Sequence, residues 1–133
     1  MSKVKWGVIG TGSIANAFAH SIKHCNHSEL IAVFGRNKET LQEFSTKFDT
    51  TGINDIDELV TSNALDAIYI ATPHSSHFEY ALQAIKNNKH VLCEKPIAMN
   101  HIESMVLFGL AKDHGVFLME AYMYRTHPQT FNI

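Results

Sequence analysis

Two glycines near the start of the chain have a spacing that suits phosphate binding. They lie in the run Gly10-Thr11-Gly12-Ser13-Ile14-Ala15, directly after the apolar stretch Val4 to Ile9. In a strand–turn–helix unit, Gly10 would make the tight turn and Gly12 would let a pyrophosphate approach, because no Cβ stands in the way. Free N–H groups at the helix N-terminus would hold the anion. The run predicts dinucleotide binding through Gly10, Thr11, Gly12, Ser13 and Ile14, with an ordinary glycine turn as the alternative.

The residues after the second apolar stretch, Leu30 to Phe34, bear on which dinucleotide binds. A site that prefers NAD usually places Asp or Glu here to accept hydrogen bonds from the ribose 2′-hydroxyl. This chain has Gly35 and Arg36 instead. Without the carboxylate a 2′-phosphate meets no repulsion, and a guanidinium can pair with it or stack on the adenine. NADP(H) is therefore predicted over NAD, and a surface arginine near a helix start is the alternative for Arg36.

Glu94-Lys95-Pro96 is a second candidate site, at the end of another apolar stretch. The proline disfavours helical geometry at Lys95 and is compatible with a cis bond, so the lysine would be held at a defined angle. A protonated lysine there could polarise a substrate carbonyl, and a deprotonated one could take a hydroxyl proton during hydride transfer. Taken alone, these are three common surface residues.

Apolar stretches and helical patterns alternate through the chain, which predicts a Rossmann-type, doubly wound parallel sheet. In such a sheet ligands bind beyond the carboxyl ends of the strands, so the segments that follow the strands should converge on one edge. These segments are Gly10 to Ala15, Gly35 to Arg36, Thr72 to His74, Glu94 to Pro96 and Glu120 to His127. We expect one domain over residues 1–121 and a connection over residues 122–133.

Helical spacing and capping patterns give more local expectations. The predicted inward faces are Ile14, Phe18, Ile22 and Cys25 in the first helix and Ile102, Met105, Val106 and Leu110 in the last. The predicted caps are Asn37, Asn54, Asn100 with Glu103, and a capping box from Ser76 to Glu79.

Composition excludes several classes of function. The formal charge is −2 with mixed signs and no basic patch, so nucleic acid is not expected as a partner. No apolar run reaches the length of a membrane span, and the start passes straight into a strand, so we expect no signal peptide and a cytoplasmic protein. Cys25 and Cys93 are interpreted as structural thiols, and His20, His24 and His27 as solvated surface rather than a metal site.

Three motifs in this order resemble the Gfo/Idh/MocA oxidoreductases, the glucose–fructose oxidoreductase and inositol dehydrogenase family. They are Gly7 to Ala15, Ala71 to His77 and Lys89 to Pro96. Phe117 to Ala121, with Arg125 and Pro128, is similar to the branch that contains dimeric dihydrodiol dehydrogenases and sugar dehydrogenases.

The resemblance implies roles for particular residues. Lys95 would be the catalytic lysine, Glu94 would lie by the nicotinamide ribose, Thr72 and Pro73 would line the cofactor, and Arg36 matches the arginine of NADP-using members. His77 and Arg125 join the set of cofactor-binding residues on the same basis. Family members carry a second domain with substrate contacts and the subunit interface, and this sequence stops at Ile133.

The resemblance thus implies the cofactor domain of an oxidoreductase that uses NADP(H), or alternatively NAD. Its substrate would be a sugar, polyol or dihydrodiol-like hydroxyl or carbonyl compound, and a homo-oligomer would form mainly through the second domain. A non-catalytic NAD(P)-binding module is a competing interpretation, because the 133-residue chain alone would show negligible turnover. An S-adenosylmethionine-dependent methyltransferase is a third, but it normally ends its second strand with an acidic residue, unlike Gly35-Arg36.

Overall fold

A six-stranded parallel sheet organises the chain, in the order β3-β2-β1-β4-β5-β6. The computed structural model describes residues 2–121. The strands are β1 (Val4–Ile9), β2 (Ser28–Phe34), β3 (Thr51–Ile53), β4 (Ala67–Ile70), β5 (His90–Glu94) and β6 (Leu118–Ala121). The helices are α1 (Ser13–Lys23), α2 (Lys38–Phe48), α3 (Ile56–Val60), α4 (His77–Lys86) and α5 (His101–His114). The predicted Rossmann-type sheet is confirmed.

The strand order reverses between β1 and β4. From β1 the chain moves outward to β2 and β3, then returns to pair β4 with the other side of β1. Open α/β sheets bind ligands at the carboxyl ends of the strands where the order reverses in this way.

The sheet is buried on both faces, which is why its central strands read as continuous apolar runs. On one face Val8, Val33 and Tyr69 pack in a cluster with residues of α1 and α2. On the other, Ile68 and Ile70 pack in a larger cluster with residues of α3, α4 and α5. All four residues of β4 are buried, so this strand is anchored from both sides.

The inward face of α1 differs from the predicted one. Ala15 and Ala19 are fully buried, whereas Ile14 is 53% exposed and Cys25 is also exposed. Small side chains let the helix lie close to the sheet, and larger ones are then turned outward. Phe18 and Ile22 are half-buried, so that part of the prediction holds.

The predicted inward face of α5 holds only at Leu110, which is half-buried and packs against the core. Leu107 and Ala111 are buried, while Ile102, Met105 and Val106 are exposed by 74%, 60% and 46%. This helix is apolar on more than one side, so helical spacing alone could not select the side that meets the sheet.

Two of the predicted caps are also corrected by the structure. Asp55, not Asn54, caps α3 by accepting from the backbone N–H of Asp57 at 3.0 Å. The Ser76 hydroxyl makes no capping bond at α4. The caps at Asn37, and at Asn100 with Glu103, are confirmed.

The two cysteines are free thiols in contrasting surroundings. Cys93 lies in β5, where burial, with smaller contributions from Glu120 and Glu94, raises the pKa of its thiol to about 12. Cys25 is exposed just beyond α1, and hydrogen bonds from the His27 backbone and from Ser28 lower its pKa. Cys93 is therefore a neutral core residue, as predicted, whereas Cys25 is not the inward residue that the sequence suggested.

Candidate functional site

Gly10 connects β1 to the site, and only glycine fits its position. Its φ is +116°, and a Cβ there would lie 2.6 Å from the carbonyl oxygen of Ala71. Its N–H donates to the Phe34 carbonyl at 2.9 Å. Gly10 thus joins the ends of β1 and β2 by a hydrogen bond and lets the end of β4 approach closely because it has no Cβ. This position therefore needs glycine for folding.

Gly12, unlike Gly10, has open space where a Cβ would be. It precedes the first turn of α1, and a Cβ placed there would meet nothing within 4 Å. No side chain caps this end of the helix. Open space beside a glycine at the uncapped N-terminus of an eleven-residue helix fits a pyrophosphate, since backbone N–H groups and the helix dipole both favour an anion.

The glycine loop, residues 10–13, is anchored by hydrogen bonds from Asn16 in α1. Its side-chain amide donates to the carbonyls of Thr11 and Gly12 at 3.2 and 2.9 Å, and Lys47 donates to its oxygen at 3.0 Å. The Thr11 hydroxyl also donates to the Thr40 hydroxyl, 3.2 Å away in the first turn of α2. The loop is therefore fixed by contacts with both helices on its side of the sheet.

Arg36 follows β2 at the same edge of the sheet and is exposed. Its neighbour Asn37 caps α2 by accepting from the backbone N–H groups of Glu39 and Thr40 at 2.9 and 3.1 Å. The backbone beside Arg36 is therefore fixed, while its side chain is exposed at the edge where a ligand would lie.

The loop after β4 contains Thr72 and Pro73. The hydroxyls of Thr72 and Ser76 are 2.7 Å apart, and Ser76 donates to the Pro73 carbonyl at 2.8 Å. These contacts close a 3-10 turn over His74–Ser76 that leads into α4. The hydroxyl that the sequence assigned to a capping box is instead used to shape this loop.

The segment after β5 is anchored by three neighbouring elements. The Tyr69 hydroxyl donates to Glu94 Oε1, His77 Nδ1 lies 2.7 Å from the Pro96 carbonyl oxygen, and Glu120 Oε2 accepts from the Ile97 N–H at 2.7 Å. The Lys95–Pro96 peptide bond is cis, as the sequence allowed. Lys95 itself is exposed. The exposed amine of Lys95 thus extends from a segment whose backbone is anchored on both sides.

Tyr69 keeps its proton under ordinary conditions. Burial, followed by the hydrogen bond with Glu94 and that carboxylate's charge, raises the pKa of the Tyr69 hydroxyl well above its usual range. The Phe18 ring stacks on Tyr69 with 4.0 Å between centroids. Tyr69 therefore acts as a fixed donor that orients Glu94.

We expect Tyr69→Phe to lower the free energy of unfolding at pH 8 by about 1.5–3 kcal/mol, the scale of a hydrogen bond to a charged group. The difference from the unmodified protein should shrink above about pH 10, where Tyr69 of the unfolded chain ionises but that of the folded chain does not. Urea unfolding at pH 8 and pH 10.5 measures this. A difference that stays constant or grows with pH would contradict the assignment.

Most of the predicted site residues lie on segments that follow adjacent strands. Gly10 to Ile14 follow β1, Arg36 follows β2, Thr72 and Pro73 follow β4, and Glu94 and Lys95 lie at the end of β5. Arg125 and the predicted connection over residues 122–133 lie outside the described residues.

His77 does not fit the direct cofactor contact predicted for it. Its side chain is 1% exposed, and its ring nitrogens lie 2.7 and 2.8 Å from the carbonyl oxygens of Pro96 and Thr72. Because both neighbours are acceptors, a neutral ring can donate to one of them and a protonated ring to both. The imidazole therefore makes hydrogen bonds within the protein rather than facing a ligand.

The roles of Tyr69, Glu120 and Asn16 were missed from the sequence. Tyr69 and Asn16 lie in a strand and a helix that were interpreted only by their apolar patterns, and Glu120 was placed at the site edge without an assigned partner. Their hydrogen-bonding groups were visible in the sequence, but their partners are 25, 23 and up to 31 residues away along the chain.

Residues 2–121 contain neither a metal-binding cluster nor a helix that could span a membrane. No group of three or more His, Cys, Asp or Glu side chains there is arranged to hold a metal ion. No helix in this part of the chain has both the length and the apolar character needed to cross a membrane.

The family model of the Gfo/Idh/MocA proteins, described as an oxidoreductase family with an NAD-binding Rossmann fold, matches residues 4–122. The chain belongs to this family. The match covers the sheet and the site edge, and it confirms the resemblance and the dinucleotide-binding fold that the three motifs predicted.

Curated relatives and solved structures agree with this assignment. Scyllo-inositol 2-dehydrogenase (NADP(+)) IolU from Bacillus subtilis is 38% identical over 89% of this chain and 36% of its own length. D-xylose 1-dehydrogenase (NADP(+)) from Hypocrea jecorina is 34% identical over 98% of this chain and 37% of its own. KijD10, a 3-ketoreductase from Actinomadura kijaniata in complex with NADP and TDP-benzene, superposes with a TM-score of 0.94 at 28% identity, over 98% of this chain and 41% of that one. The Gfo/Idh/MocA chain thus spans well under half the length of these proteins.

Proposed function

We propose that this Gfo/Idh/MocA chain is the cofactor domain of an NADP(H)-dependent oxidoreductase. The reaction would be hydride transfer between the nicotinamide and the hydroxyl or carbonyl carbon of a sugar, polyol or dihydrodiol-like compound. The observation that carries this is the arrangement at one sheet edge, where an open glycine loop and an anchored, lysine-bearing segment follow neighbouring strands. The substrate class is supported by relatives that act on inositol and xylose, and by a mouse trans-1,2-dihydrobenzene-1,2-diol dehydrogenase at 34% identity.

The cofactor would be held by residues with distinct tasks. Backbone N–H groups from Gly12 to Ile14 would bind the pyrophosphate, and Arg36 would pair with the 2′-phosphate. Thr72 and Pro73 would line the nicotinamide side, and Glu94, oriented by Tyr69, would accept hydrogen bonds from the ribose. When bound in its oxidised form, the cofactor supplies the acceptor for the hydride that leaves the substrate carbon.

Lys95 would act as the general base during oxidation and as the general acid during reduction. During oxidation its amine would take the proton of the substrate hydroxyl, and during reduction its ammonium would return a proton to the carbonyl oxygen. The anchored backbone on both sides of Lys95 supports this role, because a proton is transferred only when the amine is held at hydrogen-bonding distance. A module that merely senses NADP(H) would need the glycine loop but not this segment.

Arg36 gives a direct test of the cofactor preference. We expect Arg36→Ala to raise the Kd for NADPH about 10- to 100-fold, equivalent to about 1.5–3 kcal/mol for a hydrogen bond between charged groups. Binding of NADH should change less than about twofold, because NADH has no 2′-phosphate. Fluorescence titration of each cofactor measures both constants.

A matched control is Lys86→Ala, which removes one positive charge from the last turn of α4, where the chain turns back into β5. It should leave both constants unchanged. An equal loss of NADPH and NADH affinity in Arg36→Ala would show that the guanidinium does not read the 2′-phosphate.

A further inference from the structure

Among the described side chains that carry a titratable nitrogen, His77 and Lys89 are the two that are buried, with 1% and 7% of their surface exposed. Each reaches two backbone carbonyls. Lys89 donates to the carbonyls of Ser62 and Leu65 at 2.6 and 2.9 Å, before β4 begins. His77 reaches its two carbonyls beyond the opposite ends of β4 and β5, at the candidate site.

The carbonyls next to His77 belong to two different loops. The Thr72 carbonyl lies 2.8 Å from Nε2, in the loop that follows β4, and the Pro96 carbonyl lies 2.7 Å from Nδ1, directly after Lys95. The strands before these loops are neighbours in the sheet, with Ile70 opposite Cys93. A single imidazole thus contacts two loops that are distant from each other in the chain.

We propose that His77 is a positioning residue that holds the loop of Thr72 and Pro73 and the segment of Lys95 in one fixed relation. This inference rests on the proposed function, in which the first loop lines the cofactor and the second carries the catalytic amine. The other anchors of the second segment, Tyr69 and Glu120, attach it to strands β4 and β6. The His77 ring joins it to the other loop itself.

The rigid planar ring suits this task. Its two nitrogens point in divergent directions, so the ring can lie between two acceptors, and α4 fixes the backbone from which the ring extends because His77 is the first residue of that helix. Loss of the ring nitrogens would remove the N–H donor that lies between two buried carbonyls, leave at least one of them without a donor, and let each loop relax separately. The distance between the loop of Thr72 and Pro73 and the side chain of Lys95 would then no longer be fixed.

The test compares three variants with the unmodified chain. His77→Phe keeps a ring of similar size but has no donor, and His77→Gln keeps one amide group that can serve one of the two carbonyls. Lys89→Met is the matched control, because it removes a similarly buried bridge between two carbonyls at the far end of the sheet. For each protein, thermal unfolding reports stability, NADPH titration reports the Kd, and hydrogen exchange with peptide mass spectrometry reports the mobility of residues 94–98.

In His77→Phe we expect the Kd for NADPH to rise about tenfold and exchange in residues 94–98 to accelerate at least about tenfold. In His77→Gln the Kd and the exchange rate should lie between those of His77→Phe and those of the unmodified chain. If His77→Phe does not fold, the values for His77→Gln test the inference. Lys89→Met should lower the unfolding temperature yet leave the Kd and the exchange of residues 94–98 within about twofold. Unchanged Kd and exchange in the His77 variants, or equal changes in Lys89→Met, would overturn the inference. Absence of NADPH binding to the unmodified chain would instead contradict the proposed function, and the exchange data would still decide whether His77 holds the loops together.

Discussion

Lys95→Met is expected to abolish hydride transfer in a protein that joins this domain to a substrate-binding part. Removing a general acid or base typically costs about 10²- to 10⁴-fold in rate, and no other amine is predicted to lie at the end of β5. The affinity for NADPH should stay nearly intact, because Lys95 is exposed and its proposed task is at the reacting oxygen of the substrate. Single-turnover hydride transfer, followed by NADPH absorbance, separates this step from cofactor binding.

The control for this experiment is Lys86→Met, the same substitution at an exposed lysine of α4. It should transfer hydride at the unmodified rate. If Lys95→Met also does so, then Lys95 is a structural residue and the proton transfer proposed for it is wrong. The 133-residue chain alone is expected to bind cofactor with negligible turnover, because hydride transfer also requires a held substrate and exclusion of water.

The second large effect is expected at the glycine loop, where two glycines should behave differently. Gly12→Val should weaken NADPH binding about 100-fold, which is about 2.7 kcal/mol, because the branched side chain would occupy the space of the pyrophosphate. The fold should survive, since a Cβ at this position meets nothing within 4 Å. Titration with NADPH and thermal unfolding of the same sample measure both properties.

Gly10→Ala provides the contrast. Its Cβ would lie 2.6 Å from the Ala71 carbonyl oxygen at a φ of +116°, so this smaller substitution should destabilise the fold itself. A folded Gly12→Val variant with unchanged affinity for NADPH would remove the glycine loop from the proposed site.

Local patterns were enough to predict the sheet and the segments that follow its strands at the carboxyl edge. Strands β1, β2, β4 and β5 each contain a short apolar run, and the run from Gly10 to Ala15 lies between a strand and a helix, where a dinucleotide-binding loop is expected. Arg36 and Lys95 could be found because their positions relative to the strands, rather than any distant contact, place them at the edge.

The contacts that hold the site together depend on pairs of distant residues, and the sequence did not reveal them. The ring of His77 meets Pro96, and the Glu120 carboxylate meets the N–H of Ile97, across 19 and 23 residues. Nothing in the local pattern separates a buried histidine that binds two carbonyls from one that binds a ligand. The inward side of α5 was also not predictable from local spacing, because this helix is apolar on more than one side.

The central claim is that the carboxyl edge of this sheet binds NADP(H), and titration of the unmodified chain tests it most directly. NADPH, NADH and S-adenosylmethionine are each added to the same protein, and binding is followed by cofactor fluorescence or by calorimetry. We predict saturable binding of one NADPH per chain, weaker binding of NADH and no binding of S-adenosylmethionine. Tighter binding of NADH would contradict the preference assigned to Arg36, and binding of S-adenosylmethionine without NADPH would contradict the whole account.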